Sequence, residues 1–115
     1  MKKLSKVQIK QQALVLDVAN MLEEQGRAEI PGMVQCWFDM KYEMFPSSLL
    51  LRFQFEDEQS LAAAEPELLK WRKRLSAAMV KKGVILKDMR RHLVFTVEGP
   101  DAGHIALAPF IFSLN

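Results

Sequence analysis

The residues in this 115-residue chain that could do chemistry are one cysteine, two histidines, a carboxylate triplet and a run of lysines and arginines. Cys36 alternates in phase with Val34 and Phe38, so it is expected to face the interior. A thiol there behaves as a small hydrophobe with a raised pKa, not as a nucleophile. His92 and His104 fall on two strands read as a hairpin, with Glu98 opposite His104. Six strand residues at ~3.3 Å each hold them roughly 20 Å apart, too far to share a metal ion. Glu56, Asp57 and Glu58 form the densest acidic group. Two carboxylates can act as acid and base when their environments separate their pKa values, and such a group could hold magnesium. The same residues also precede a helical pattern, where negative charge complements the dipole and the free N–H groups, and that role is favoured. The five glycines, at 26, 32, 83, 99 and 103, never approach the spacing of a phosphate loop or a dinucleotide fingerprint. No catalytic, metal or cofactor residue is therefore assigned, and the chain is expected to bind without catalysing.

The cations are unevenly distributed. Between residues 70 and 92 there are nine: Lys70, Arg72, Lys73, Arg74, Lys81, Lys82, Lys87, Arg90 and Arg91, against Asp88 alone. Five carboxylates lie between residues 56 and 67, so a net charge of only +2 conceals a local division. Clustered Lys and Arg suit phosphate, since each contact releases counterions and Arg grips phosphate through two donors. Trp71, among them, could stack on a base. The alternatives are a solvated helix face and an acidic protein surface that meets the same residues.

The elements that must position these residues follow from periodicity. Residues 5–25 form a helix opened by a capping box between Ser5 and Gln8, with Val7, Leu14, Val18, Met21 and Leu22 as its apolar stripe and Gly26 as its stop. Residues 28–32 read as a loop. Strict alternation over 34–43 and 49–56, joined by turn residues at 45–48, predicts an antiparallel hairpin. A second helical region runs from 57 to 82 through Leu61, Ala64, Leu68, Trp71, Leu75, Ala78 and Met79. Pro66 predicts a kink, or a short first turn followed by a main helix, and Gly83 the stop. Residues 84–86 and 92–98 form a second hairpin around the turn 87–91, and 104–114 a last strand.

The expected order is α-β-β-α-β-β-β: one α+β domain over residues 1–115. Two helices would cover one face of a mostly antiparallel sheet of four or five strands. The element order helix, two strands, helix, strand resembles the type II KH arrangement of small ribosome-associated factors. The GXXG loop with which KH domains clamp a nucleic-acid backbone is absent, so no binding residue is taken from the resemblance.

Composition sets the class. Half the residues are hydrophobic and 26% are charged, too apolar for a disordered chain. No run approaches the ~18–20 apolar residues that span a bilayer, and no apolar secretory segment follows the basic start. A single cysteine points to a reducing cytoplasm. The leading expectation is nucleic-acid or ribonucleoprotein binding through Lys70, Lys73, Arg74, Lys81, Lys82, Lys87, Arg90 and Arg91. The other is an adaptor or inhibitor that docks a protein, or a homodimer through the last strand. Trp37, on the face expected to be wet, and Phe110 and Phe112, on a strand apolar on both sides, are its interface residues. Pro109 places that strand at an edge.

Overall fold

Ser5 and Gln8 start the first helix as their spacing predicts. In the computed structural model, which describes residues 4–100, the Ser5 hydroxyl accepts from Gln8 N–H at 3.1 Å. The Gln8 side chain in turn accepts from Ser5 N–H at 2.9 Å. The helix, α1 (Lys6–Glu29), runs through Gly26 instead of stopping there, and Ile30 N–H closes it on the Gly26 carbonyl. Its buried stripe is Gln12, Val15, Val18, Ala19, Leu22 and Gly26, rotated from the expected one, so Val7 and Met21 are exposed.

Strand β1 (Met33–Asp39) pairs antiparallel with β2 (Leu50–Phe55), which realises the first hairpin. β1 is shorter than the alternation implies and has a bulge between Met33 and Gln35 that leaves Val34 exposed. Cys36 and Phe38 face inward as expected. β1 lies at the edge of the sheet, and Glu23 of α1 accepts from Cys36 N–H at 2.9 Å. Burial pushes the Cys36 thiol up, and the Glu23 charge adds to it.

The second helical region breaks where Pro66 requires. α2 (Glu58–Ala64) opens on Asp57, whose carboxylate accepts from Ser60 N–H at 2.7 Å, so this member of the acidic triplet is a helix cap. One 3-10 turn, Glu65–Glu67, carries Pro66 and leads into α3 (Leu68–Lys81). α3 ends in a Schellman motif, with Gly83 N–H on the Val80 carbonyl and Val84 N–H on the Met79 carbonyl, both 2.9 Å. Gly83 takes φ +85°, which a residue with a Cβ adopts only at a cost.

The sheet departs from expectation. Among the described residues it has three strands in the order β1-β2-β3, and β3 (Leu93–Thr96) runs parallel to β2. The predicted four- or five-stranded, mostly antiparallel sheet is therefore incorrect. The reason is topological: the helices between β2 and β3 form a crossover, which returns the chain in the same direction. Residues 84–86, expected as a strand, are instead a loop tied to the end of α3, with Leu86 buried. The expected last strand, with Phe110 and Phe112, lies outside the described residues, as does His104.

Both long helices cover one face of the sheet. Val15, Val18 and Leu22 of α1 and Trp71, Leu75 and Met79 of α3 enclose Leu51, Phe53, Phe55 and Leu93. The register places Gln35, Trp37, Asp39, Arg52 and Gln54 on the other face. Trp37 was expected to be wet but is 1% exposed. The Arg52 guanidinium sits 4.6 Å from its ring centroid and is held there by Asp39 at 2.7 Å. Among the described residues no helix is long and apolar enough to cross a membrane.

Candidate binding surface

α3 carries four of the eight predicted cations, Lys70, Lys73, Arg74 and Lys81, because its inward stripe is apolar and its remaining positions project outward or toward α1. The structure divides the eight residues by their partners. Arg74 forms a two-pronged pair with Glu29 of α1, at 2.9 and 3.0 Å. Lys70 reaches Glu29 at 3.6 Å and Glu67 at 3.3 Å, Lys82 reaches Asp17 at 2.7 Å, and Arg90 reaches Asp88 at 3.1 Å. The other four, Lys73, Lys81, Lys87 and Arg91, make no ion pair among the described residues. Sequence reasoning missed Asp17 and Glu29 because the pairs join distant parts of the chain, Arg74 with Glu29 over 45 residues and Lys82 with Asp17 over 65. Twelve residues are about 3.3 helical turns, which sets the two acids roughly 120° apart around α1, so their spacing carried no shared-face signal.

Position divides them a second time. Arg74, Lys81 and Lys82 line a groove of about 600 Å³ between α1 and α3, with Val18, Met21, Ala77 and Ala78 as its apolar surface. Lys87 and Arg91 line a separate cleft of about 260 Å³, with Pro46, Ser47, Ile85, Leu86, Asp88 and His92. The two recesses share no lining residue, although the 3-10 turn Met89–Arg91 does pack against α3.

Trp71, read as a base-stacking platform, is 0% exposed. Arg74 and Lys70 lie over its ring at 4.3 and 5.8 Å, and Phe53 meets its edge. It is a core residue with cations above it, so it offers no open face for a base. His92, read as an extra donor in the basic cluster, is 3% exposed. Its Nδ1 lies 2.8 Å from the Leu49 carbonyl. Among the described residues no three His, Cys, Asp or Glu side chains gather as a metal site.

The ion pairs shift the acids downward. The hydrogen bond from Arg74, with the nearby charges of Arg74 and Lys70, lowers the Glu29 pKa below its ordinary 4.5. Hydrogen bonds from Arg90 do the same for Asp88, and those from Ser60 for Asp57, below an ordinary 3.8. A carboxylate with a depressed folded pKa contributes stability above its unfolded value and loses it as pH falls through the folded one. Stability should therefore decline as pH drops below about 4.5. Glu29→Gln should lose stability at neutral pH and show a shallower acid decline, which urea melts from pH 7 to 3 would measure. An unchanged decline would mean that the Arg74–Glu29 pair contributes nothing.

No family model, no curated protein and no solved structure matches the chain.

Proposed function

We propose that this protein is a non-catalytic nucleic-acid-binding protein of the cytoplasm, contacting the phosphate backbone through Lys73, Lys81, Lys87 and Arg91. The observation that carries this reading is that these four cations make no salt bridge among the described residues and lie on α3 and on the segment packed beside it. A cation already paired must give up its carboxylate before it can meet a phosphate, so Lys70, Arg74, Lys82 and Arg90 are weaker contributors. Long flexible lysines favour backbone contact over base readout. The buried free Cys36 fits a reducing compartment.

The test is fluorescence anisotropy with labelled single-stranded RNA, single-stranded DNA and duplex DNA across a salt series. Binding should weaken linearly on a log–log plot. Lys73→Glu combined with Arg91→Glu should lower the slope by about 2, roughly one per lost phosphate contact. Arg74→Gln should change the slope less, because Arg74 is committed to Glu29. An unchanged slope in the double variant would remove the assignment.

The second reading is a protein-docking module, favoured by the α1–α3 groove. Its apolar Val18, Met21, Ala77 and Ala78, rimmed by Asp17, Glu29, Lys81 and Lys82, suit a segment that is itself amphipathic. An acidic protein that competes with RNA for Lys81 would favour it.

A further inference from the structure

A separate cleft lies beside the 3-10 turn Met89–Arg91. Its walls are Pro46 and Ser47 on one side and the segment from Ile85 to His92 on the other. Three charged residues line it, and the negative one is already answered. Asp88 accepts from both the backbone N–H and the Nε of Arg90, each at 3.1 Å. Lys87 and Arg91 are exposed and make no salt bridge among the described residues, although the Arg91 charge also acts on Asp88. The Ser47 hydroxyl donates to the Met44 carbonyl at 2.9 Å, which ties that wall in place.

One further feature favours an anion. Among the described residues no protein hydrogen bond engages the backbone N–H groups of Ile85, Leu86, Lys87 and Asp88, although Leu86 is buried. Consecutive free N–H groups in an irregular segment are ready donors to an oxyanion. His92 lies in the same wall, and its Nδ1 must carry a proton because a carbonyl only accepts. In that tautomer Nε2 is an acceptor, so His92 is not counted among the donors to an anion.

We propose that this cleft is a seat for a single phosphate-type oxyanion, with Lys87 and Arg91 as its cations and the N–H groups of residues 85–88 as its neutral donors. Its volume of about 260 Å³ is ample for one tetrahedral oxyanion. The proposal rests on the nucleic-acid reading only for the source of the phosphate, a backbone group or free inorganic phosphate.

The experiment follows the backbone amides of the full chain by nuclear magnetic resonance during titration with inorganic phosphate, at constant ionic strength against chloride. Saturable shifts are expected in residues 85–92 of the native protein and of the Lys73→Gln/Lys81→Gln variant. The Lys87→Gln/Arg91→Gln variant should bind at least about tenfold more weakly, the scale of one lost charge-assisted hydrogen bond. Both altered residues are exposed, so the fold should survive, which a thermal melt would check. Equal shifts with chloride, or unweakened binding in that variant, would overturn the seat.

Labelled single-stranded RNA separates the sources. Displacement of the strand by phosphate, with both weakened in the Lys87/Arg91 variant, assigns the seat to a backbone group. Phosphate saturation without any strand binding keeps the seat for free phosphate and removes the nucleic-acid reading. Strand binding with unmoved amides removes the seat and leaves that reading intact.

Discussion

Phe53→Ala is expected to destabilise the protein by about 3–5 kcal/mol, the range for deleting a buried aromatic side chain. Phe53 is 0% exposed and sits in the central strand, so its ring touches every layer of the core. Trp71 of α3 meets it edge-on, with centroids 5.5 Å apart at 63°. Phe95 of β3 stacks on it at 5.6 Å and 10°. On the α1 side it comes so close that a Cβ on Gly26 would sit 3.3 Å from Phe53 Cε2. Removing the ring takes contacts from both long helices and a neighbouring strand at once, and the backbone of a central strand cannot collapse to refill the space. A domain of this size is commonly stable by only 5–15 kcal/mol, so the loss would be a large share of the total. Urea unfolding should show a lower midpoint with an unchanged slope. Phe53→Leu should cost less, since it keeps much of the apolar volume and forfeits mainly ring pairings worth ~0.5–1.5 kcal/mol each. A Phe53→Ala loss below about 1 kcal/mol would mean that the three elements do not close on this ring.

Elements governed by local chemistry were legible from the residues alone. Ser5 and Gln8 make their capping box, Pro66 breaks the second helical region, and Gly83 ends α3. Leu51, Phe53 and Phe55 alternate inward as their spacing implies. What the pattern could not carry was partnership between strands. Leu93 and Phe95 alternate in the same way whether their strand runs with β2 or against it, and only the crossover through α3 decides. A three-residue apolar stretch such as 84–86 is equally ambiguous between a strand and a buried loop. Gly26 misled for a related reason. It looked like a stop, but it is the point where α1 presses on Met33 and Phe53.

The proposed binding surface was legible in charge and illegible in pairing. The cluster of cations was evident, yet whether each was free depended on acids far away in the chain. Glu29 neutralises Arg74 and also meets Lys70, while Asp17 neutralises Lys82. Periodicity likewise placed Trp37 on a wet face, because alternation says which side a residue takes and not what covers that side. The site proposed above is accordingly narrower than the run of nine cations: Lys73 and Lys81 of α3, the latter at the α1–α3 groove, with Lys87 and Arg91 on the neighbouring segment.

Gly32 provides the sharpest local test of how the hairpin meets the second helical region. Its φ is +84°, and a Cβ built on it would run into Cβ and Oγ of Ser60. Ser60 cannot retreat easily, because its N–H is held by Asp57 at 2.7 Å and its Cβ is fixed to a helix backbone. The Gly32 carbonyl also accepts from Glu56 N–H at 2.9 Å, so the turn is fastened on both sides. Gly83 has nearly the same backbone, φ +85°, but open space where a Cβ would stand. Alanine at Gly83 should therefore cost only the conformational term, ~1–2 kcal/mol. Alanine at Gly32 should cost that and an overpacking term of ~1–3 kcal/mol. Paired urea melts of the two variants separate the terms, because the backbone penalty cancels in their difference. Equal losses would mean that α2 yields freely to the new methyl group, and that the Asp57 cap does not hold Ser60 against the turn.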